Sequence, residues 1–500
     1  MALPAQGTQV IRGALLTDPA KRRAEPADLL VRDGRIAEIG APGMAAPADA
    51  AVFDAAGTVM HPGLVNAHMH SHGGLARGQV DRVTLELLLV AAPWLGGNRL
   101  LADKKLSTMI CAAEMALKGC TACYDLFAEF PIPTTDGMDA AAEAYAEVGI
   151  RAVVAPMVAD LSFYQAIPGL MDALPPELAR ATERLRPGDG AACLAAIETI
   201  LRGWKWDSHG IRAAVAPTIP HHCTEGFACG CGRVARAHGA RLHMHVGESK
   251  VQAVAGMRLY GRTLLAEMDR WGLVGPDFTA AHAVWLDDDE MRLMAARGAS
   301  VAHNPGSNMR LGNGLFPLRR MLDLGVTVAV GTDGANCSDN QNVYEAMRYA
   351  SMVSKVQSPR TGDWASTEEV FRAATLGGAR ALGFADGGEI RVGADADLVF
   401  LGLDTLNWIP HNATVNQLVH VEDGTGVRHV MVAGRTVVRD GRLLTVDLPR
   451  LAREAEAARE RLEAANAEVR ALTERLAVVV NSFCPGIAAA PYQVRRYLCE

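Results

Sequence analysis

No apolar run in the sequence approaches the ~18 residues needed to cross a bilayer. The longest candidates, such as residues 85–92, are too short. The first ten residues lack the charged-then-apolar pattern of a secretory signal. Nothing basic is clustered, and the formal net charge of -7 is spread along the chain. That argues against nucleic-acid and membrane-surface partners. The ten cysteines, at 111, 120, 123, 193, 223, 229, 231, 337, 484 and 499, are not framed as a disulfide scaffold. Their scatter fits a reducing cytoplasm. Cys223, Cys229 and Cys231 beside His221 and His222 lack the two separated ligand pairs of a structural zinc site, and read as buried or half-buried thiols.

What is present is a long globular chain. Its 500 residues, 49% hydrophobic and 21% charged, suffice for one large catalytic domain and a smaller accessory layer. Residues 9–58 read as short strands at 9–16, 28–31, 36–39 and 51–54, with Asp33-Gly34 as a two-residue hairpin signal. Residues 389–447 repeat that texture, with strands at 398–401, 427–432 and 435–438 and turns at Ala433-Gly434 and Asp440-Gly441. The two segments are expected to pack together as one small β-sandwich.

Between them, strand-like runs at 64–67, 122–125, 152–156, 213–217, 241–245, 279–282, 300–303 and 326–331 alternate with helical ones. The expected fold is therefore α/β, a (β/α)8 TIM-like barrel at 59–388, inserted between sandwich halves at 1–58 and 389–447. Residues 448–500 form a C-terminal helix and tail. Leu451, Ala455, Ala458, Leu462, Ala465, Val469, Leu472 and Leu476 make a heptad seam. With so many alanines, the seam reads as a helix lying on its own domain, with a subunit contact as the other reading.

Reactive residues of such a barrel sit where its strands end. Four of the expected strand ends carry metal-ligand residue types: His68 and His70, His245, His282, and Asp333. Residues two apart in a strand point the same way, so both imidazoles of His68-Met69-His70 can face one ion. His243 could face it too.

In that order, Pro62-Gly63-Leu64-Val65-Asn66-Ala67-His68-Met69-His70, His245-x-x-Glu248, Ala281-His282-Ala283-Val284-Trp285-Leu286, Ala302-His303-Asn304-Pro305-Gly306-Ser307-Asn308 and Gly331-Thr332-Asp333-Gly334 resemble the amidohydrolase superfamily. The similarity is to its methylthioadenosine/S-adenosylhomocysteine deaminase and triazine chlorohydrolase branch, and spans residues 9–447. The resemblance implies one divalent metal, zinc first and iron second, held by His68, His70, His245 and Asp333. Glu248 would be the acid/base, and His282 would orient water or substrate. Two-metal relatives carry a lysine near the fourth barrel strand, and residues 151–160 have none.

The chemistry also stands on elementary grounds. An ionised water at neutral pH can attack an amino-bearing sp² carbon. Asp333 can take the water's proton and return it to ammonia. Glu248 can protonate the adjacent ring nitrogen, and His282 is expected to donate through Nε2.

The branch's nucleoside deaminases carry a His soon after the Ala-Pro that ends strand five. Here Ala216-Pro217 precedes Thr218-Ile219-Pro220-His221-His222, a displaced match. Their ribose-binding Glu is replaced by Pro93-Trp94 and by Glu86 in another frame. These departures point to a small bare heterocycle: an aminopurine, pterin, pyrimidine or triazine. The expected substrate contacts are Trp94, His221, His222, His303 and Asn304, with Arg77 a weaker candidate.

Alternatives keep the site but open a cyclic amide or displace chloride, or make the chain a non-catalytic scaffold. A cytoplasmic homo-oligomer is expected.

Overall fold

The computed structural model describes residues 7–498. Its centre is a TIM-barrel-like α/β fold. Strands Leu64–Met69, Cys120–Ala128 and Arg151–Val158 run parallel, and Ile211–Ala213 and Ala216–Pro217 extend that sheet. Leu242–Val246, Phe278–His282, Ser300–His303 and Thr327–Val330 form a second parallel sheet. The sheets meet where Val215 bridges Leu242 and the Val215 N–H donates to the Arg241 carbonyl. On the other side, the Asp333 N–H donates to the His68 carbonyl at 2.9 Å.

These strands are short apolar runs because both faces are covered, as in parallel sheets generally. Val65, Ala67, Ala122, Tyr124, Val153, Ala155 and Ala329 from the two sheets pack together in one buried cluster. Leu382 and Phe384, from helix Gly378–Leu382 and the turn beyond it, join them, and Gly378 lies against Val65 near the start of its strand. The helices follow local rules. In Thr135–Val148, Thr134 caps the first turn by accepting from the Gly137 N–H, and Gly149 at φ 92° ends the helix. Met138, Ala141, Ala142, Tyr145 and Val148 make its buried stripe.

The flanking segments join in one nine-stranded network. Strands Gln9–Leu16, Ala51–Asp54, Val427–Val432 and helix Asp288–Ala296 stand where the sequence placed them. Both central residues of the Asp33-Gly34 turn have positive φ, as the hairpin requires. Strand Thr58–Pro62 was not anticipated. It pairs with Gln9–Leu16 and antiparallel with Leu398–Gly402, so the first β-rich segment runs to Pro62, four residues past the expected border. Its five residues are all buried and show no alternation, which hid the strand. Arg151 fastens this network to the barrel, donating to Asp395 at 2.7 Å and Asp397 at 2.5 Å.

The seam segment is two helices, Leu448–Ala465 and Ala467–Ala488, rather than the single helix expected. Asn466 breaks them, its side chain donating to the Gly97 carbonyl. The seam faces its own domain: Leu451, Ala458, Leu462 and Leu476 are buried, whereas Ala465 is exposed. Past the break the buried stripe passes to Thr473, Val480, Cys484 and Ile487. This is the drift expected of a 3.6-residue helix laid on a globular surface.

Removing one partner of a buried ion pair typically costs about 3–5 kcal/mol. Asp397→Ala, which leaves buried Arg151 only Asp395 as a partner, is expected to lower unfolding free energy by up to about 3 kcal/mol. Urea denaturation against the parent protein measures it.

Candidate active site

His68 and His70 end strand Leu64–Met69 on one side of the chain, His245 stands in Leu242–Val246, and Asp333 follows Thr327–Val330. All four are buried. His70 Nε2 lies 3.2 Å from His245 Nε2 and 3.2 Å from Asp333 Oδ1, and His68 Nε2 lies 3.5 Å from the same oxygen. The ligand atoms of His68, His70 and His245 fall within 4.8 Å of one another, as do those of His68, His282 and Asp333. The four predicted ligands therefore converge, with His282 at the rim.

The donor chemistry fits a cation. The Nδ1 proton of His70 goes to the Leu126 carbonyl at 2.8 Å, and that of His245 to the Thr218 carbonyl at 2.8 Å. A ring held in this way presents a bare Nε2 lone pair when neutral, and the two Nε2 atoms face each other. Like lone pairs at 3.2 Å repel unless a positive charge lies between them. Burial lowers the His68 imidazolium pKa to about 3, and burial with the neighbouring imidazoles lowers that of His245 well below its ordinary value. Both are held neutral, the form that binds metal. Burial opposes charge on Asp333, but the adjoining His68 and His70 imidazoles outweigh it and hold the carboxyl well below the usual range. Burial also opposes a charged His70, but Asp333 outweighs it and raises the pKa.

Local backbone aims the groups. His282 and Asp333 adopt φ of 68° and 67°, a region that costs a non-glycine residue roughly 1–3 kcal/mol. Gly331 is required beside them, because a Cβ there would sit 2.3 Å from Asn304 Oδ1 and 2.8 Å from the His68 carbonyl. Asn66 pins the same strand end by accepting from the Thr332 N–H at 3.0 Å, and Gln341 donates to the Asp333 carbonyl at 2.9 Å.

Glu248 is buried just beyond Leu242–Val246. Its Oε1 accepts from Asn313 Nδ2 at 3.1 Å. Its Oε2 has no hydrogen-bond partner and lies 3.6 Å from His282 Nε2. Burial, then Asp333, then Glu86 push its pKa well above the carboxylate range. Glu86, buried on helix Leu85–Gly96, accepts from Ser249 Oγ at 2.7 Å. The Nδ1 proton of His282 goes to Asn308 Oδ1 at 2.9 Å. Its neutral ring then presents Nε2 as an acceptor, the reverse of the donor expected from sequence.

Asn66, Gln341, Asn308 and Asn313 were missed. They are uncharged amides whose partners lie between 8 and 275 residues away, at no regular spacing that would mark them.

The expected substrate contacts divide. Asn304 Nδ2 lies 3.5 Å from His282, at the cluster. His303 is buried next to it but stacks on Phe316 at 4.2 Å. His221 is buried with both ring nitrogens unpartnered, edge-on to His222, which in turn packs on Phe163. Trp94 stands elsewhere. It lies under Arg470 at 4.7 Å and lines a cavity of about 210 Å³ with Leu75, Arg99 and Asn466, between helix Leu85–Gly96 and the C-terminal helices. Arg77 pairs with Glu114. His243 lies between His68 and Tyr124. The nine described cysteines are free thiols, and among the described residues His221, His222 and Cys223 belong to no metal-holding cluster.

A parallel α/β barrel-like ring with a buried His/Asp cluster where its strands end defines a metal-dependent hydrolase. The chain belongs to the amidohydrolase family, whose model matches residues 59–437. It is 32% identical over 453 residues to the 5-methylthioadenosine/S-adenosylhomocysteine deaminase of Syntrophobacter fumaroxidans, covering 88% of this chain and 94% of that one. Among solved structures, it resembles a zinc-bound adenosine deaminase from Xanthomonas campestris (TM-score 0.79, 26% identity, 91% of this chain and 98% of that one). It also resembles the zinc complex of atrazine chlorohydrolase from Arthrobacter aurescens TC1 (TM-score 0.80, 25% identity, 90% and 99%).

Stripping divalent metal with a chelator is expected to lower Tm, and adding zinc at 100 times its Kd to return about 2.7 kcal/mol. Differential scanning calorimetry reads this. His245→Ala and Asp333→Asn should each fall below one metal per chain by elemental analysis.

Proposed function

We propose that this enzyme is a mononuclear metal-dependent deaminase that hydrolyses an amino-substituted nitrogen heterocycle and releases ammonia. The observation that carries the proposal is the buried Glu248 carboxyl, one oxygen unpartnered, beside the His/Asp cluster. His68, His70, His245 and Asp333 would hold one divalent ion, zinc before iron. When bound there, the ion supplies an ionised water at neutral pH, because coordination lowers the pKa of water to roughly 7.

The remaining work falls to side chains. Asp333 accepts the proton of the attacking water and later returns it to the leaving ammonia; as the C–N bond breaks and the carbonyl forms, the hydroxyl's remaining proton restores Glu248. Glu248, kept protonated toward neutral pH by burial, delivers its proton through Oε2 to the ring nitrogen next to the attacked carbon. Without that proton the ring nitrogen would carry the developing negative charge, and the C–N bond would not break. His282, its Nδ1 proton held by Asn308, accepts through Nε2 and orients the water.

Asn304, His303, His221 and His222 are the proposed substrate contacts, and Trp94 a contact only for a substrate that reaches the lateral cavity. The relatives' names put adenosine-type nucleosides at the head of the test panel, beside free aminopurines, pterins, pyrimidines and triazines. The chlorohydrolase neighbour makes chloride displacement the second reading.

The architecture is read as a full (β/α)8 barrel, with the nine-stranded network folded into a small sandwich around Ile11, Leu29, Met60, Leu398 and Phe400. We place the enzyme in the cytoplasm, as a homo-oligomer acting on small molecules without nucleic-acid or membrane partners. No helix of the described residues is long and apolar enough to cross a membrane. The heptad seam is not the proposed subunit contact, because its own domain covers it.

An ammonia-release assay over the panel, with chloride release from chloro-analogues in parallel, tests the reading. Glu248→Gln is expected to keep metal and Tm while losing about 10²–10⁴-fold in kcat. Unchanged turnover would remove Glu248 from its role. In the parent enzyme kcat/KM should fall as pH rises through the raised Glu248 pKa, since the proton donor is lost there.

A further inference from the structure

The tail that follows the C-terminal helices lies across the loops that carry the catalytic groups. Arg496 donates through Nε to the Val284 carbonyl and through Nη2 to the Leu286 carbonyl, both at 2.7 Å. These carbonyls flank Trp285, two to four residues past His282. The Arg496 carbonyl accepts from the Leu315 N–H at 2.8 Å. Gly314, at φ 114°, lets the strands approach, since a Cβ there would stand 3.0 Å from that of Arg496. Tyr497 and Tyr492 pack edge-on to Trp285 at 5.2 and 6.1 Å.

Trp285 passes this grip inward. Its Nε1 donates to the Asn313 carbonyl at 2.7 Å, and its own N–H donates to the Gly247 carbonyl, next to Glu248, at 2.9 Å. The Asn313 N–H donates to the Asn308 carbonyl at 2.8 Å, and Asn308 holds His282. Asn313 is buried, with its backbone fixed at both polar groups, and its amide meets Glu248 Oε1. A carboxyl whose Oε1 accepts that bond carries its proton on Oε2, the oxygen that faces His282. The bond therefore selects which oxygen bears the transferable proton.

We infer that Asn313 is a positioning residue for the acid Glu248, and that the C-terminal segment around Arg496 holds Asn313 in place. The inference rests on Glu248 being the proton donor proposed above. The tail is then a working part of the site, although it lies more than 240 residues from Glu248 in the chain.

The test uses full-length, zinc-loaded Asn313→Leu, Arg496→Ala, Arg496→Lys and the Asn313→Leu/Arg496→Ala double variant, with Glu248→Gln as reference. Asn313→Leu keeps volume and removes the donor. It is expected to lower kcat for ammonia release about 10–100-fold, with KM and metal content little changed, the scale of a misplaced catalytic group. Chloride release from the matching chloro-analogue, which leans less on ring protonation, should fall less. Arg496→Ala should lower kcat in the same sense and speed amide exchange at 312–315. Arg496→Lys, which keeps the charge but loses the two-carbonyl fork, should fall between it and the parent.

The double variant should be no slower than Asn313→Leu, because coupled residues do not add. Unchanged kcat in Asn313→Leu, equal losses with both leaving groups, or fully multiplicative losses in the double variant would overturn the inference. If Asn313→Leu does not fold, the Arg496 variants carry the test through kcat and amide exchange, and parent-like values in both overturn it. A Glu248→Gln enzyme that turns over normally sinks the proposed function instead. An inactive Glu248→Gln beside a parent-like Asn313→Leu sinks only this inference.

Discussion

Lone pairs forced together at one point govern this structure. The Nε2 atoms of His70 and His245 face each other at 3.2 Å, with an Asp333 oxygen equally close to His70. Each ring is locked by the backbone carbonyl on its other nitrogen, so neither can turn away. Such an arrangement is unfavourable for a bare protein and favourable for one that carries a cation. Metal binding, the neutral imidazoles and the hydrolytic chemistry all follow from that convergence.

The surrounding fold keeps the point under tension. Left-handed backbone at His282 and Asp333 persists because hydrogen bonds on either side over-determine it. Asp333 is tied to the His68 carbonyl through its N–H and to Gln341 through its carbonyl, while Asn308 grips the His282 ring. The helices and tail beyond residue 447 complete the enclosure. Their apolar stripe, Leu476, Val480, Cys484 and Ile487, packs against Val90 of helix Leu85–Gly96 and against Val251 and Val254 just past Glu248. A segment that reads as an accessory helix is thereby packed against the helix that follows Glu248.

Legibility differed by kind of residue. The side chains that converge were readable because imidazoles and carboxylates at strand ends are chemically conspicuous, and because HxH and HxxE spacings fix their geometry within one strand and its following loop. Apart from Asn304, the uncharged amides were not readable. An asparagine gains meaning only from a partner brought near by folding, as Asn313 does with Glu248. The direction of the His282 hydrogen bond was misjudged for the same reason, since it depends on Asn308. Strand Thr58–Pro62 escaped notice because burial on both faces erases the period-two pattern.

By itself the sequence determined the alternation of strands and helices, the β-rich flanks, and the candidates for the His/Asp cluster, because these depend on local period and side-chain chemistry. Tertiary structure alone decided which imidazole nitrogens meet, which oxygen of Glu248 is free, that Trp94 belongs to a separate cavity, and that Arg496 of the tail holds the loop past His282. Those facts depend on contacts between residues distant in the chain. Such contacts are fixed by packing of the whole molecule, and no stretch of sequence carries them.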